Sequence, residues 1–230
     1  MIGEENTFVL QKFREILTPH KVELFKRIAQ ERTRHISIAL EDLFHEHNAS
    51  AVIRSCDCFG IQDLYTIEDK NKYVLQRNIA LGSGRWIDLH RFTSKETASL
   101  DCINHLRTQG YKIVATSPHA NAHTLETLPL DAPVALFFGT ERRGLSDKIL
   151  SHTEYHLTIP MYGFTESLNL SVSVAIALHR LRNRLHQDSI DWKLSPEAQD
   201  ALQIAWSTRI LNGGEALEKQ FRAAYFEKEF

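Results

Sequence analysis

A chain of 230 residues that is 43% hydrophobic is long enough to bury one substantial core and lies far from the composition of a disordered polymer. Its 27 basic and 29 acidic residues leave a formal charge of −2, which excludes a general electrostatic pull on nucleic acid and makes the placement of the charges the informative quantity. No run of about 18 apolar residues occurs, and MIGEENTFVLQKFRE lacks a basic-then-apolar leader, so a cytosolic protein without a membrane segment is expected.

The predicted elements begin with helices. Residues from about Asn6 to Leu17 and from Thr18 to about Arg32 carry helical patterns, the second with Thr18 as N-cap and Pro19 in the first turn, where a missing N–H is harmless. HISIAL, His35 to Leu40, is the first strand. A helix beginning at Asn48 then repeats Ala51, Val52, Ser55, Cys56 and Phe59 at helical spacing toward a sheet, with Ser50 and Arg54 together on another face. Gly60 ends it, and IQDLYTIE follows as a strand. Asp69 to Arg85 has no clear period, and its GSGR lacks the third glycine and the following helix of a dinucleotide-binding turn. WIDLHRF alternates as a strand, Thr93-x-x-Glu96 reads as a capping box for a helix ending at Gly110, and YKIVAT is a further strand. SPHANAHTLETLPLDAP is irregular, whereas Val134 to Gly139 is nearly all apolar, as a strand buried on both faces would be. Ser146 opens a short helix and EYHLTI is the last strand. Thr158 to Leu185 then runs through a glycine-containing loop to Ser167 and Asn169, short polar side chains that suit the start of the long apolar helix after them. Ser195-Pro196 opens a helix to about Leu211, Asn212-Gly213-Gly214 stops it, and a last helix begins near Glu215.

Alternation of strands and helices over most of the chain predicts an α/β fold, a mostly parallel sheet covered on both sides. Helical parts over residues 1–34 and 188–230 flank the α/β part, 35–187. Cys56, Cys58 and Cys102 cannot pair completely, and Cys-x-Cys on a helix points its thiols to different faces, so neither a disulfide framework nor a metal site is expected.

Three segments share a pattern. HNASAVIRSCDCFG (His47 to Gly60), ALFFGTERRGLS (Ala135 to Ser146) and IPMYGFTESLNLSVSVAI (Ile159 to Ile176) resemble, in order, the three motifs of the SpoU/TrmH class of RNA ribose 2'-O-methyltransferases. The resemblance implies a SPOUT fold with a deep C-terminal trefoil knot, S-adenosylmethionine as cofactor, a homodimer and an RNA substrate. It places Thr116, Gly139, Ile159, Met161 and Leu168 against the cofactor, largely through main-chain groups. Arg54 matches the arginine thought to activate the 2'-hydroxyl with the help of a substrate phosphate, Asn48 an asparagine that orients it or the ribose, Glu141 the second-motif glutamate, and Ser167 and Asn169 the residues that position ribose and phosphate. Each has a plain structural alternative: strand-end packing for the cofactor set, a surface arginine for Arg54, an N-cap for Asn48, an ion pair with Arg142 or Arg143 for Glu141. A guanidinium with a pKa above about 12 is a poor base in isolation, so Arg54 could equally hold phosphate and polarise the hydroxyl.

Basic residues crowd the first helices, and Arg180, Arg182 and Arg184 close the long helix. Together with Arg32 and Arg34 these three are the expected contacts to RNA phosphate, against the alternative of a solvated helix face. Only about 35 residues precede the first strand, and they read as helices, not as a ribosomal-protein-like domain. Among members of the class this favours a tRNA enzyme acting on guanosine 18 of the D-loop, over another tRNA site, rRNA, or a non-catalytic RNA-binding protein on the same scaffold.

Overall fold

The computed structural model describes residues 2–42, 46–69, 82–117, 122–140 and 143–227. They divide into two compact units, one of residues 33–192 and one of residues 1–32 with 193–230.

In chain order the described elements are α1 (Ile2–Ile16), α2 (Pro19–Glu31), β1 (Ile36–Glu41), α3 (Glu46–Cys58), β2 (Asp63–Ile67), a single 3-10 turn (Ser83–Arg85), β3 (Asp88–Phe92), α4 (Ala98–Thr108), β4 (Lys112–Thr116), β5 (Val134–Phe138), α5 (Asp147–Leu150), β6 (Tyr155–Leu157), α6 (Leu170–Gln187), α7 (Pro196–Ile210) and α8 (Gly214–Phe226).

The larger unit is built on one six-stranded sheet in the order β3-β2-β1-β5-β4-β6, and every pairing in it is parallel. The chain steps outward from β1 through β2 to β3, crosses to β4, and returns to insert β5 between β1 and β4. Two-residue alternation sends Ile36, Ile38, Leu40, Leu64, Val114, Val134, Leu136 and Phe138 into one core with α3 and α6. Ala39, Tyr65, Ile67, Ile113, Ala115, Ala135 and Phe137 enter the other with α4 and α5. Burial on both faces explains why β5 reads as an unbroken apolar run.

Helix α6 commits Leu170, Val174, Ala177, Leu178, Leu181 and Leu185 to the first core, a stripe at three- and four-residue spacing. Helix α3 commits Ala49, Val52, Ile53 and Cys56. The face expected from sequence is therefore rotated, and Ser50, expected beside Arg54, is fully buried while Arg54 is exposed. The Thr93–Glu96 capping box does not form. Glu96 adopts φ 69°, its N–H bonds the Asp69 carboxylate at 3.1 Å, and α4 begins only at Ala98. Cys56 and Cys102 are buried and Cys58 is exposed, all three as free thiols; burial pushes the Cys102 thiol up.

In the smaller unit α1 packs on α7 and α8, and α2 on α7. Val9, Leu10, Phe13 and Ile204 form its centre, with Phe13 edge-on to Phe221 at 5.2 Å and Phe25 edge-on to Trp206 at 5.5 Å. The expected caps are present: Thr18 accepts from the Lys21 N–H, and Ser195 from the Ala198 N–H at 3.2 Å.

Candidate active site

Strands β4, β5 and β6 end side by side, and their C-terminal ends open into a cleft of about 410 Å³. That is within the ~300–1,000 Å³ of small-molecule sites, and C-terminal strand ends are where open α/β sheets hold ligands. Thr116 closes β4, with its hydroxyl donating to the Phe137 carbonyl at 2.7 Å. Gly139 follows β5, Ile159 and Met161 follow β6, and Leu168 lies on the approach to α6. These five, the expected cofactor set, all line this one cleft, and Ser167 lines it beside them.

One wall is a tight backbone crossing. Thr140 and Gly144 exchange two main-chain hydrogen bonds of 3.0 and 2.9 Å, which folds the chain back over Gly139. A Cβ on Gly139 would stand 2.1 Å from the Gly144 carbonyl carbon and oxygen and 2.3 Å from the Leu145 nitrogen, so only glycine fits. Gly144 has φ 66°, the left-handed region that favours glycine, and completes the turn.

The third-motif asparagine joins the first motif. Asn169 caps α6 through its side-chain oxygen, which accepts from the Ser171 N–H at 2.9 Å. Its amide nitrogen donates to the Asn48 oxygen at 3.1 Å, across 121 positions of sequence. The cap reading thus holds for Asn169, and the same side chain reaches the first motif; Asn48, expected to begin its helix, lies inside α3, which already includes Glu46, and does not cap it. Arg54 is exposed and makes no ion pair among the described residues; it is not part of the cleft lining. Glu141 lies outside the described residues.

Ser117 and Glu166, which sequence reasoning passed over, and Arg143, which it considered only as an ion-pair partner of Glu141, also line the cleft. Neither the Arg143 guanidinium nor the Glu166 carboxylate forms an ion pair among the described residues, so one charge of each sign borders the space. Their adjacency to Gly144 and Ser167 was the available signal.

The arginines expected to hold RNA phosphate are engaged in the fold. Arg32 is 2% exposed, with its guanidinium 5.5 Å from the Trp206 ring. Arg182 is 7% exposed and stacks on Trp192 at 3.6 Å. Neither presents a phosphate contact, because an aromatic face and burial have taken the place of solvent. Arg34 forks onto Asp63 at 2.5 Å and Asp88 at 2.8 Å; burial opposes its charge, but the two carboxylates more than offset that and its pKa is raised. Arg184 donates to the Leu125 and Leu128 carbonyls and pairs with Asp188, and Arg180 pairs with Glu126 at 3.1 Å.

An all-parallel sheet with a glycine-crossed cleft at its strand ends and an asparagine-capped helix beside it is the architecture of an α/β protein that binds a small ligand at its strand ends. The chain belongs to the SpoU rRNA Methylase family, whose model matches residues 35–179. It is 37% identical over 210 residues to the tRNA (guanosine(18)-2'-O)-methyltransferase of Borreliella burgdorferi, covering 91% of this chain and 93% of that one. The fold matches the crystal structure of the A. aeolicus TrmH/SpoU tRNA modifying enzyme with a TM-score of 0.73 at 23% identity, over 83% of this chain and 96% of that one. A structure described as giving insight into 2-OH methylation of C/U34 on tRNA matches at a TM-score of 0.53 and 26% identity, over 66% of this chain and 97% of that one.

Proposed function

We propose that this protein transfers a methyl group from S-adenosylmethionine to the ribose 2'-hydroxyl of guanosine 18 in the D-loop of tRNA. The observation that carries the reading is the convergence of Thr116, Gly139, Ile159, Met161 and Leu168 on one cleft, in a chain so similar along its length to an enzyme of that name. The cleft fits the cofactor: Leu145, Leu157, Ile159, Leu168 and Leu170 offer an apolar bed, strand-end main chain offers hydrogen bonds, and Arg143 and Glu166 border it with charges opposite to those of a methionine carboxylate and ammonium.

Bound S-adenosylmethionine supplies an electrophilic methyl on a sulfonium centre. The residues of this chain must hold the ribose in line with it, take up the hydroxyl proton and exclude water. Asn169 and Ser167, at the start of α6, position the ribose, and Asn48 fixes the Asn169 amide through their hydrogen bond. Arg54 contacts the adjoining phosphate and the hydroxyl. Glu141 orients the reacting groups from the second motif.

In the same reading the sheet is the core of a SPOUT fold, the segment from β5 to α6 forms its trefoil knot, and residues 33–192 are the methyltransferase domain with a helical unit from both ends of the chain. The protein acts as a homodimer in the cytoplasm. Support for the dimer comes from α6, where Val172 and Ile176 remain 44% and 38% exposed at helical spacing, and from the nearly fully exposed Tyr162 and Phe164 in the loop before it. Exposed Arg54 and the solvent-facing edge of Arg180 meet tRNA phosphates. The likeness to the C/U34 structure supports a second reading, another tRNA ribose. Methyl incorporation into a transcript carrying guanosine 18, the same transcript already methylated there, and 23S rRNA fragments separates these. Equal incorporation into the first two moves the target elsewhere, and incorporation into rRNA alone rejects the tRNA reading.

A further inference from the structure

Glu41, the last residue of β1, is a carboxylate only 5% exposed. It stands one step beyond the Leu40–Phe138 pair, so it is level with the point where β5 gives way to Gly139. Three donors converge on it. The Ser146 N–H donates to one oxygen at 2.8 Å; the Ser146 hydroxyl, at 2.5 Å, and the Ser99 hydroxyl, at 3.3 Å, donate to the other. A buried carboxylate is stable only when such donors replace its water, and hydrogen bonds to a charged acceptor are the strong ones.

The position of Ser146 gives this cluster a consequence. Ser146 directly follows Gly144 and Leu145, which wall the cleft and press on Gly139. The turn is fixed at its start by the Thr140–Gly144 bonds; at its end the Ser146 side chain caps α5 by accepting from the Ile149 N–H, at 3.4 Å. With only one helical turn, α5 is a weak anchor. The bonds to Glu41 tie the turn directly to the central strand.

We propose that Glu41 is a positioning residue for the cofactor: through Ser146 it holds the Gly144–Leu145 wall at the depth that the adenosyl group requires, and touches neither substrate nor reacting atoms. This rests on reading the cleft as the S-adenosylmethionine site. Ser99 belongs to α4, outside the cleft wall, and so separates tethering from general stability. Glu41→Ala and Ser146→Ala should each weaken S-adenosylmethionine binding about tenfold by calorimetry, raising its KM while kcat at saturating cofactor stays within about twofold. Ser99→Ala, which removes a bond from the same carboxylate, should leave the affinity within about twofold. Hydrogen exchange at the Gly144, Leu145 and Ser146 amides of the cofactor-free protein should quicken in Ser146→Ala but not in Ser99→Ala. Should Glu41→Ala fail to fold, Ser146→Ala carries the comparison. Equal effects of Ser146→Ala and Ser99→Ala, on affinity or on exchange, would overturn the tether. Failure of the wild type to bind the cofactor would instead overturn the reading of the cleft, with the exchange comparison still deciding on Glu41.

Discussion

Gly139→Ala is the smallest change that tests whether the cleft depends on its backbone crossing. The new methyl would lie 2.1 Å from the Gly144 carbonyl carbon and oxygen, where ordinary contact begins at 3.4 Å, so one strand of the crossing must retreat by about 1.3 Å. The atoms that it meets are main chain, held by the reciprocal Thr140–Gly144 bonds, and cannot swing aside as a side chain would. Overpacking of this kind costs about 1–3 kcal/mol, which in a chain of this length lowers Tm by roughly 2–12 °C. The functional loss should be larger in proportion, because a misplacement of about 1 Å in a site can cost about 100-fold. Calorimetry should therefore show S-adenosylmethionine binding 10- to 100-fold more weakly (about 1.4–2.7 kcal/mol), with a modest fall in Tm by calorimetric melting. Affinity within about threefold of wild type would refute the view that this wall is rigid and shapes the site.

Arg54→Ala should lower methyl transfer by roughly 10²- to 10⁴-fold, about 3–5 kcal/mol of barrier, with cofactor affinity unchanged; turnover within threefold of wild type would return Arg54 to an ordinary surface role. Val172→Glu with Ile176→Glu, placed on the exposed stripe of α6, should convert a dimer to a monomer by light scattering at micromolar concentration, and a wild type that is already monomeric would remove the dimer from the proposed function.

Much of the site was legible because its residues are contiguous in three motifs. Gly139, Ile159, Met161 and Leu168 lie within the second and third motif segments, so the resemblance pointed to them, and strand ends converge in any parallel sheet. The link between Asn48 and Asn169 joins the first motif to the third, and sequence alone held both residues equally open to a capping role. Glu166 and Glu41 were not singled out, and Arg143 was considered only as a partner for Glu141, since an isolated charge beside a motif looks the same whether it borders a cleft, pairs with a neighbour or is buried.

Periodicity and turn chemistry, local properties of the chain, determined the parallel α/β class, the strand positions, the Thr18 and Ser195 caps and the long helix after Asn169. Tertiary structure alone decided which charges remain available. Arg32 and Arg182 look like solvated cations in sequence, yet Trp206 and Trp192 lie against them and solvent is gone. Arg34 is taken by Asp63 and Asp88, which lie 29 and 54 positions away. The Thr93–Glu96 capping box failed for the same reason, a distant Asp69 carboxylate claiming the Glu96 N–H. Local patterns survive folding when backbone geometry sets them. The fate of a charge depends on the dielectric and the partners that long-range contacts bring to it, and no window of sequence contains those.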